Sequence, residues 1–207
     1  YRALLAPLDG RLTMHGPFFD MSPGSVDRKI NALTIDRYQH ALRIAAELGV
    51  KIVVFHANFI AAIRTDDYRR GWQERNVTFW SAMADYAAQL GVVLAVENMW
   101  EFDPDIIGVV LQRVDHPHLR ACLDVGHAHL FSHVAFDEWL AVLGPYIVHT
   151  HINNNPGDMD LHQGLHNGVL DYRALLPKLR ALPNRPSMTL EMDTVRDMEA
   201  SLPLLDV

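Results

Sequence analysis

Short apolar runs recur along the chain, and each ends in a histidine or a carboxylate. Five clear runs lead into His56, Glu97, Asp124, His151 and Glu191, and a weaker run at residues 12–14 leads into His15. The steps between these residues are 41, 41, 27, 27 and 40. Each step has room for a strand, a returning helix and two loops, so the pattern predicts βα units on a parallel sheet.

Helical periodicity fills the segments between these strands. We predict helices from a cap at Thr34 to Leu48, from about Asp67 to Leu90, from Pro104 after a cap at Asp103, from Asp137 to Leu143, from a cap at Asp171 to about Leu182, and from Val195 to Leu205. Glycine directly follows the first two, at Gly49 and Gly91. Residues 153–169 are rich in Asn, Gly, Asp and His and form the longest loop, and a loop of this length is usually functional.

This count gives six βα units, whereas a closed barrel of this type has eight. The first five residues, Tyr1 to Leu5, are typical of a helix end that leads into the His15 strand. We therefore predict an α/β fold, a TIM (β/α)8-type barrel, as one domain over residues 1–207 with the first two units missing. The alternative is a barrel that is open.

Composition narrows the function classes. The formal net charge of −7 gives no global basic footprint for nucleic acid, which weakens a DNA-binding function without excluding it. The sequence has no apolar stretch of membrane-spanning length and no secretory pattern, so we expect a soluble cytoplasmic protein with no membrane partner. The single cysteine, Cys122, excludes an internal disulfide and a cysteine-based zinc cage. Twelve histidines exceed ordinary usage, and several stand where a ligand is wanted.

The six residues that follow the apolar runs should meet in space. Parallel strands present their C-terminal ends on one face, which is the active-site face of an α/β barrel. A buried carboxylate at such a place is seldom structural unless it is paired, because desolvating an unpaired charge is costly. The pattern therefore indicates an active site with metal-type ligands.

Seven short motifs carry a family resemblance: Met14-His15-Gly16-Pro17-Phe18, Val54-Phe55-His56, Val96-Glu97-Asn98, Cys122-Leu123-Asp124-Val125-Gly126-His127, His151-Ile152-Asn153-Asn154, Asp160-Leu161-His162 and Leu190-Glu191. Together they resemble the xylose-isomerase-like TIM-barrel superfamily. That superfamily contains sugar and sugar-phosphate isomerases and epimerases, and DNA repair enzymes of the endonuclease IV type. The resemblance extends from about His15 to Glu191.

The isomerase and epimerase members imply a site with one metal ion. Its ligands would be Glu97, Asp124, His151 and Glu191, a set that suits Mn²⁺, Mg²⁺, Co²⁺ or Zn²⁺. Such an ion would hold the oxygens of an open-chain sugar while an α-proton leaves to form an enediolate. Glu97 and Glu191 would be the catalytic pair, one removing the proton and the other delivering it.

The endonuclease IV pattern implies a larger ligand set for more than one metal ion. Its nine positions resemble His15, His56, Glu97, Asp124, His127, His151, Asp160, His162 and Glu191. In the one-metal alternative, His15, His56 and His127 would instead bind substrate. Phe18 and Trp100 would wall the pocket or simply close the barrel rim.

We therefore predict a metal-dependent isomerase or epimerase of a small sugar or sugar phosphate, with oligomer formation possible. The main alternative is a zinc phosphodiesterase that cleaves DNA at abasic sites. A third class is a barrel that binds a small ligand without turnover, and the nine ligand-type positions argue against it.

Overall fold

The computed structural model describes residues 1–5, 7 and 12–205. The strands are β1 (Thr13–His15), β2 (Ile52–His56), β3 (Val93–Glu97), β4 (Leu119–Asp124), β5 (Ile147–Ile152) and β6 (Ser187–Leu190). The helices are α1 (Arg2–Leu5), α2 (Arg28–Leu48), α3 (Asp66–Leu90), α4 (Asp105–Val114), α5 (Val125–Leu130), α6 (Phe136–Leu143), α7 (Tyr172–Arg180) and α8 (Val195–Ser201), followed by a 3₁₀ turn (Leu202–Leu205).

The predicted α/β fold class is confirmed, and the described residues contain the six expected strands in the sheet order β1 to β6. The chain forms two compact units. Unit 1 comprises Tyr1–Glu97 and Ile106–Arg120, and unit 2 comprises Asn98–Asp105 and Ala121–Val207. The prediction that further βα units precede Tyr1 stays a prediction.

Unit 1 contains the parallel strands β1, β2 and β3 and has an aromatic core. Helices α2 and α3 bury one face each, and Tyr38 of α2 lies 4.1 Å from Phe55 of β2 between ring centroids. Trp80 of α3 is 6.0 Å from the Tyr38 ring. The register pairs His56 directly with Glu97, so the last residues of β2 and β3 are neighbours.

In unit 2, the end of β4 pairs in parallel with β5, and β5 pairs with β6. Trp139 of α6 and Leu179 of α7 are fully buried, and the Trp139 indole N–H donates to Ser132 Oγ over 2.9 Å. The register places Asp124 opposite His151. The backbone N–H of Glu191 donates to Ile152 O, which continues the β5–β6 pairing past the last strand residue.

The predicted start of α2 is wrong. The helix begins at Arg28, because the Asp27 carboxylate accepts the backbone N–H groups of Lys29 and Ile30 and so caps it. Thr34, the predicted cap, lies inside the helix, where its hydroxyl donates to Ile30 O. The exposed residues of the first turns weakened the apolar periodicity on which the prediction depended.

Two helix ends also differ from prediction. Helix α7 ends at Arg180 and not at Leu182. The final helix becomes a 3₁₀ turn after Ser201, where Pro203 lacks the N–H that an α-helical turn requires. The predicted C-terminal stops at Gly49 and Gly91 are confirmed, and both glycines adopt left-handed backbone angles.

Among the described residues, no helix has the length and apolar character that a membrane crossing requires.

We predict that Leu42→Ala lowers the free energy of unfolding by about 2–5 kcal/mol, because it opens a cavity in the unit 1 core. Leu33→Ala on the same helix is the matched control, since Leu33 is 47% exposed and Leu42 is 0% exposed. Denaturant unfolding followed by circular dichroism measures both. Equal losses in the two variants would show that Leu42 makes no special contribution to the core.

Candidate metal centre

The last residues of three strands meet in unit 1. His15 ends β1, His56 ends β2 and Glu97 ends β3. His15 Nε2 lies 3.1 Å from His56 Nε2 and 3.2 Å from Glu97 Oε2, and His56 Nε2 lies 3.3 Å from the same carboxylate oxygen. Two ring nitrogens and a carboxylate oxygen so close together are an arrangement that can hold a divalent cation.

The backbone sets the orientation of the His15 ring. His15 Nδ1 lies 2.8 Å from the Gly16 carbonyl oxygen, which can only accept a hydrogen bond. Nδ1 therefore carries the proton, and in the neutral ring the lone pair is on Nε2, the atom that faces His56 and Glu97. Metal-binding histidines are typically oriented by such a bond from the other ring nitrogen.

Phe18 packs against both histidine rings of unit 1. Its ring centroid is 5.5 Å from that of His15 and 4.9 Å from that of His56, and the residue is 37% exposed. Phe18 therefore contacts the rings of two candidate ligands, and its role as a pocket wall stays a prediction. Trp100, the other predicted wall residue, lies in unit 2 in the loop after β3 and is 49% exposed.

Asp124 of unit 2 is fully buried and hydrogen-bonded through both carboxylate oxygens. Its Oδ1 accepts the His127 backbone N–H over 2.7 Å and thereby caps α5, while its Oδ2 accepts from Asn153 Nδ2 over 3.0 Å. Asn98 bonds to both the N–H and the carbonyl of the Asp124 backbone, over 2.9 and 3.0 Å. Gly126 must lack a side chain, because a methyl group there would collide with Asn153.

Asp124 belongs to a ligand group with His151 and Glu191. Each of these three residues offers a ligand atom within 4.8 Å of the others, and His151 Nδ1 is 3.2 Å from Glu191 Oε2. Asp124 ends β4, His151 is the penultimate residue of β5, and Glu191 directly follows β6. Two carboxylates and one imidazole form a donor set suited to Mn²⁺, Mg²⁺, Co²⁺ or Zn²⁺.

A second group in unit 2 includes a loop segment. His127 Nε2 lies 3.1 Å from Asp160 Oδ2, and His162 Nε2 lies 3.3 Å from Asp160 Oδ1. His127 is buried on α5, whereas Asp160 and His162 are in the loop between β5 and α7. One carboxylate thus bridges two imidazoles, as in a group that could bind a cation between them.

Charge pairing shifts the ionisation of this group. The hydrogen bond to Asp160 raises the pKa of His162 to about 9, although burial acts in the opposite direction. Burial acts to raise the pKa of Asp160, but hydrogen bonds from His127 and His162 outweigh it and hold that pKa below its usual value. A metal ion bound here would therefore replace a proton on an imidazole that already faces a carboxylate.

Three histidines share one hydrogen-bonding pattern, which fits metal ligation. In each, Nδ1 donates to a backbone carbonyl: His15 to Gly16, His127 to Asn98 over 3.1 Å, and His162 to Glu191 over 3.1 Å. In each, Nε2 points toward a carboxylate of the same unit. In its neutral form each ring would have its lone pair on Nε2, the atom that a cation bound beside these carboxylates would contact.

The structure groups the predicted ligands within each unit, three in unit 1 and six in unit 2, and their roles stay predictions. Sequence analysis assigned no role to two residues that support Asp124, namely Asn98 and Asn153. Both belong to motifs that contain a predicted ligand, Glu97-Asn98 and His151-Ile152-Asn153, and that adjacency is the signal that could have identified them.

His149 is buried between hydroxyls, 2.8 Å from Ser187 Oγ and 3.0 Å from Thr189 Oγ1, which indicates a packing role.

The chain is similar to a known protein family and to several solved structures. Residues 1–206 match the family described as "Xylose isomerase-like TIM barrel". A protein from Thermus thermophilus whose crystals were soaked with ZnCl2, TTHB071, is 32% identical, with a TM-score of 0.85 over 99% of this chain and 80% of its own. A D-tagatose 3-epimerase-like protein is 24% identical, with a TM-score of 0.87 over 99% and 79%. An L-ribulose 3-epimerase is 16% identical, with a TM-score of 0.76 over 100% and 70%.

We predict that Asp124→Asn strongly lowers the divalent metal content of the purified protein, because it removes the charge of a buried ligand and keeps its size. Asp27→Asn is the matched control, since Asp27 also caps a helix but lies outside all three ligand groups. Elemental mass spectrometry measures metal per chain in both variants. Equal occupancy in wild type and Asp124→Asn would contradict a metal role for Asp124.

Proposed function

This chain belongs to the xylose isomerase-like TIM barrel family, and we propose that it is a metal-dependent isomerase or epimerase of a small sugar or sugar phosphate. Its structural neighbours include sugar epimerases, which supports a carbohydrate substrate. The observation that carries the proposal is the donor set at the strand ends: carboxylates and imidazoles of each unit whose ring orientations suit a cation.

The proposal assigns the cation ligands by residue. The principal ion would be held by Glu97, Asp124, His151 and Glu191, and further ions by His15, His56, His127, Asp160 and His162. A divalent cation so held supplies a Lewis acid that polarises a substrate carbonyl. Asp124 acts purely as a ligand in this scheme, because both of its oxygens already accept hydrogen bonds that fix their direction.

Glu97 and Glu191 are the proposed proton carriers. One carboxylate takes the proton from the carbon beside the substrate carbonyl and leaves an enediolate of the substrate. The other, as a carboxylic acid, returns a proton to that carbon from the opposite side for epimerisation, or to its neighbour for isomerisation. Glu97 is almost fully buried beside two imidazoles, and Glu191 is partly exposed beside His151, so the two acids have different surroundings.

Substrate contacts are assigned to polar and aromatic side chains around these acids. His15, His56 and His127 are candidates for hydrogen bonds to sugar hydroxyls wherever they do not bind metal. Phe18 covers the rings of His15 and His56, so its exposed face would limit the width of the substrate pocket. Trp100 has enough exposed ring surface to contact a sugar face.

Cleavage of DNA at abasic sites is the second candidate function, and one observation favours it. The group of His127, Asp160 and His162 adds ligands beyond those that a one-metal isomerase needs. The net charge of −7 weighs against binding to a polyanion, because nucleic-acid affinity depends on neutralised phosphates. We therefore rank carbohydrate isomerisation first.

We predict that Glu97→Gln and Glu191→Gln each lower turnover about 100- to 10,000-fold, since an amide cannot accept the proton. Exchange of substrate hydrogen with deuterated solvent, followed by NMR over a panel of ketoses and aldoses, measures the step directly. Glu74→Gln, at an exposed position on α3, is the control. Full exchange in both active-site variants, with metal retained, would rule out this mechanism.

We further predict that the zinc-loaded protein does not incise duplex DNA at an abasic site, because its charge disfavours the phosphate backbone. Gel assays at low and physiological salt test this. Metal-dependent incision that is lost in His127→Ala or His162→Ala would contradict the prediction and favour the nuclease function.

A further inference from the structure

The side chain of Asn154 lies at the base of the loop between β5 and α7. It is almost fully buried, and its amide makes four hydrogen bonds to the backbone. Nδ2 donates to the carbonyls of Leu165 and Leu170, and Oδ1 accepts the N–H groups of Asn155 and Leu170, each over 3.0 Å. One side chain thus fixes the returning end of the loop at two places.

The backbone of Asn154 fixes the same loop at a third place. It exchanges two hydrogen bonds with Gln163, over 2.9 and 2.7 Å, in an isolated antiparallel bridge. Gly168 leaves room for the amide, because a methyl group there would collide with Asn154 Oδ1. Residues 155–162 therefore lie between two residues, Asn154 and Gln163, that are hydrogen-bonded to each other.

This held segment carries two of the proposed ligands. Asp160 and His162 are within it, and Gln163, the residue after His162, is the bridge partner of Asn154. His162 has φ = 41°, a left-handed conformation that a non-glycine residue keeps only when its surroundings enforce it. Residues 157–161 are exposed, so the bonds at the base of the loop must supply much of that enforcement.

We propose that Asn154 is a positioning residue for metal binding, and that its amide holds Asp160 and His162 where they meet His127. The inference rests on the proposed metal-dependent function. The four hydrogen bonds of the Asn154 amide all go to backbone groups, so we expect it to act through the loop backbone. Its loss should therefore free the Asp160–His162 segment while Asp124, His151 and Glu191, which are positioned by β4 and the β5–β6 pairing, stay together.

Asn154→Ala tests the proposal, with zinc alone as the probe and the whole chain as the sample. We expect zinc affinity at the His127 group to fall about 10- to 100-fold, the range typical of lost support around a ligand. Elemental analysis at graded free zinc should show fewer zinc ions per chain in the variant than in wild type. Zinc binding at the group of Asp124, His151 and Glu191 should be unchanged. Hydrogen exchange at the Gln163 and Leu170 amides should accelerate in the metal-free protein.

Asn184→Ala is the matched control. Asn184 also donates through its amide to two backbone carbonyls, Pro145 and Ile147, but at the opposite end of β5. Its loss should leave zinc binding unchanged. If Asn154→Ala does not fold, Gly168→Ala displaces the same amide with Asn154 still present.

A combined variant separates positioning from general destabilisation. Asp160→Ala with His162→Ala removes both ligands that the loop carries, so adding Asn154→Ala should lower zinc binding no further. A wild-type protein that binds no zinc would overturn the proposed function and this inference together. A wild type that binds zinc, with Asn154→Ala unchanged in zinc affinity, would overturn only the inference.

Discussion

Carboxylates buried at strand ends impose the constraint on which the rest of the site depends. Glu97 and Asp124 are almost completely removed from solvent. An isolated buried charge is strongly unfavourable, so each carboxylate must be surrounded by hydrogen-bond donors or cations. Glu97 has the imidazoles of His15 and His56, and Asp124 has a helix N-terminus and the Asn153 amide. The backbone and loops near the two carboxylates are arranged so that these donors reach them.

The two units meet this requirement in different ways. In unit 1 the ligands are the last residues of strands, and the pairing of neighbouring strands already places His56 beside Glu97. In unit 2 a long loop brings Asp160 to His127, and buried asparagines replace regular secondary structure as its support. Asparagine suits this task because one amide can both donate to and accept from the backbone.

The strand ends were predictable from sequence because they coincide with apolar runs, whose period and spacing are local properties. The start of α2 was not, since the capping bonds of Asp27 outweigh the apolar pattern that begins near Thr34. Adjacency to Glu97 could have drawn attention to Asn98, but the sequence does not specify the hydrogen bonds that Asn98 or Asn154 makes. Asparagine is a common loop residue, and only three-dimensional proximity distinguishes one that binds four backbone groups from one that faces solvent. Candidate ligands could be named from the sequence, whereas the hydrogen bonds that position them required the structure.

The partners of the histidine Nδ1 atoms have a consequence for sequence divergence. His15, His127 and His162 are each oriented by a main-chain carbonyl, an acceptor that every amino acid retains. No side-chain substitution at the accepting position can delete that oxygen. The residues that supply these carbonyls can therefore change in evolution, and the ring orientation is kept as long as the backbone keeps its path. Selection on the groups that orient these ligands then acts on backbone conformation. Such selection would leave little or no residue conservation in a sequence alignment.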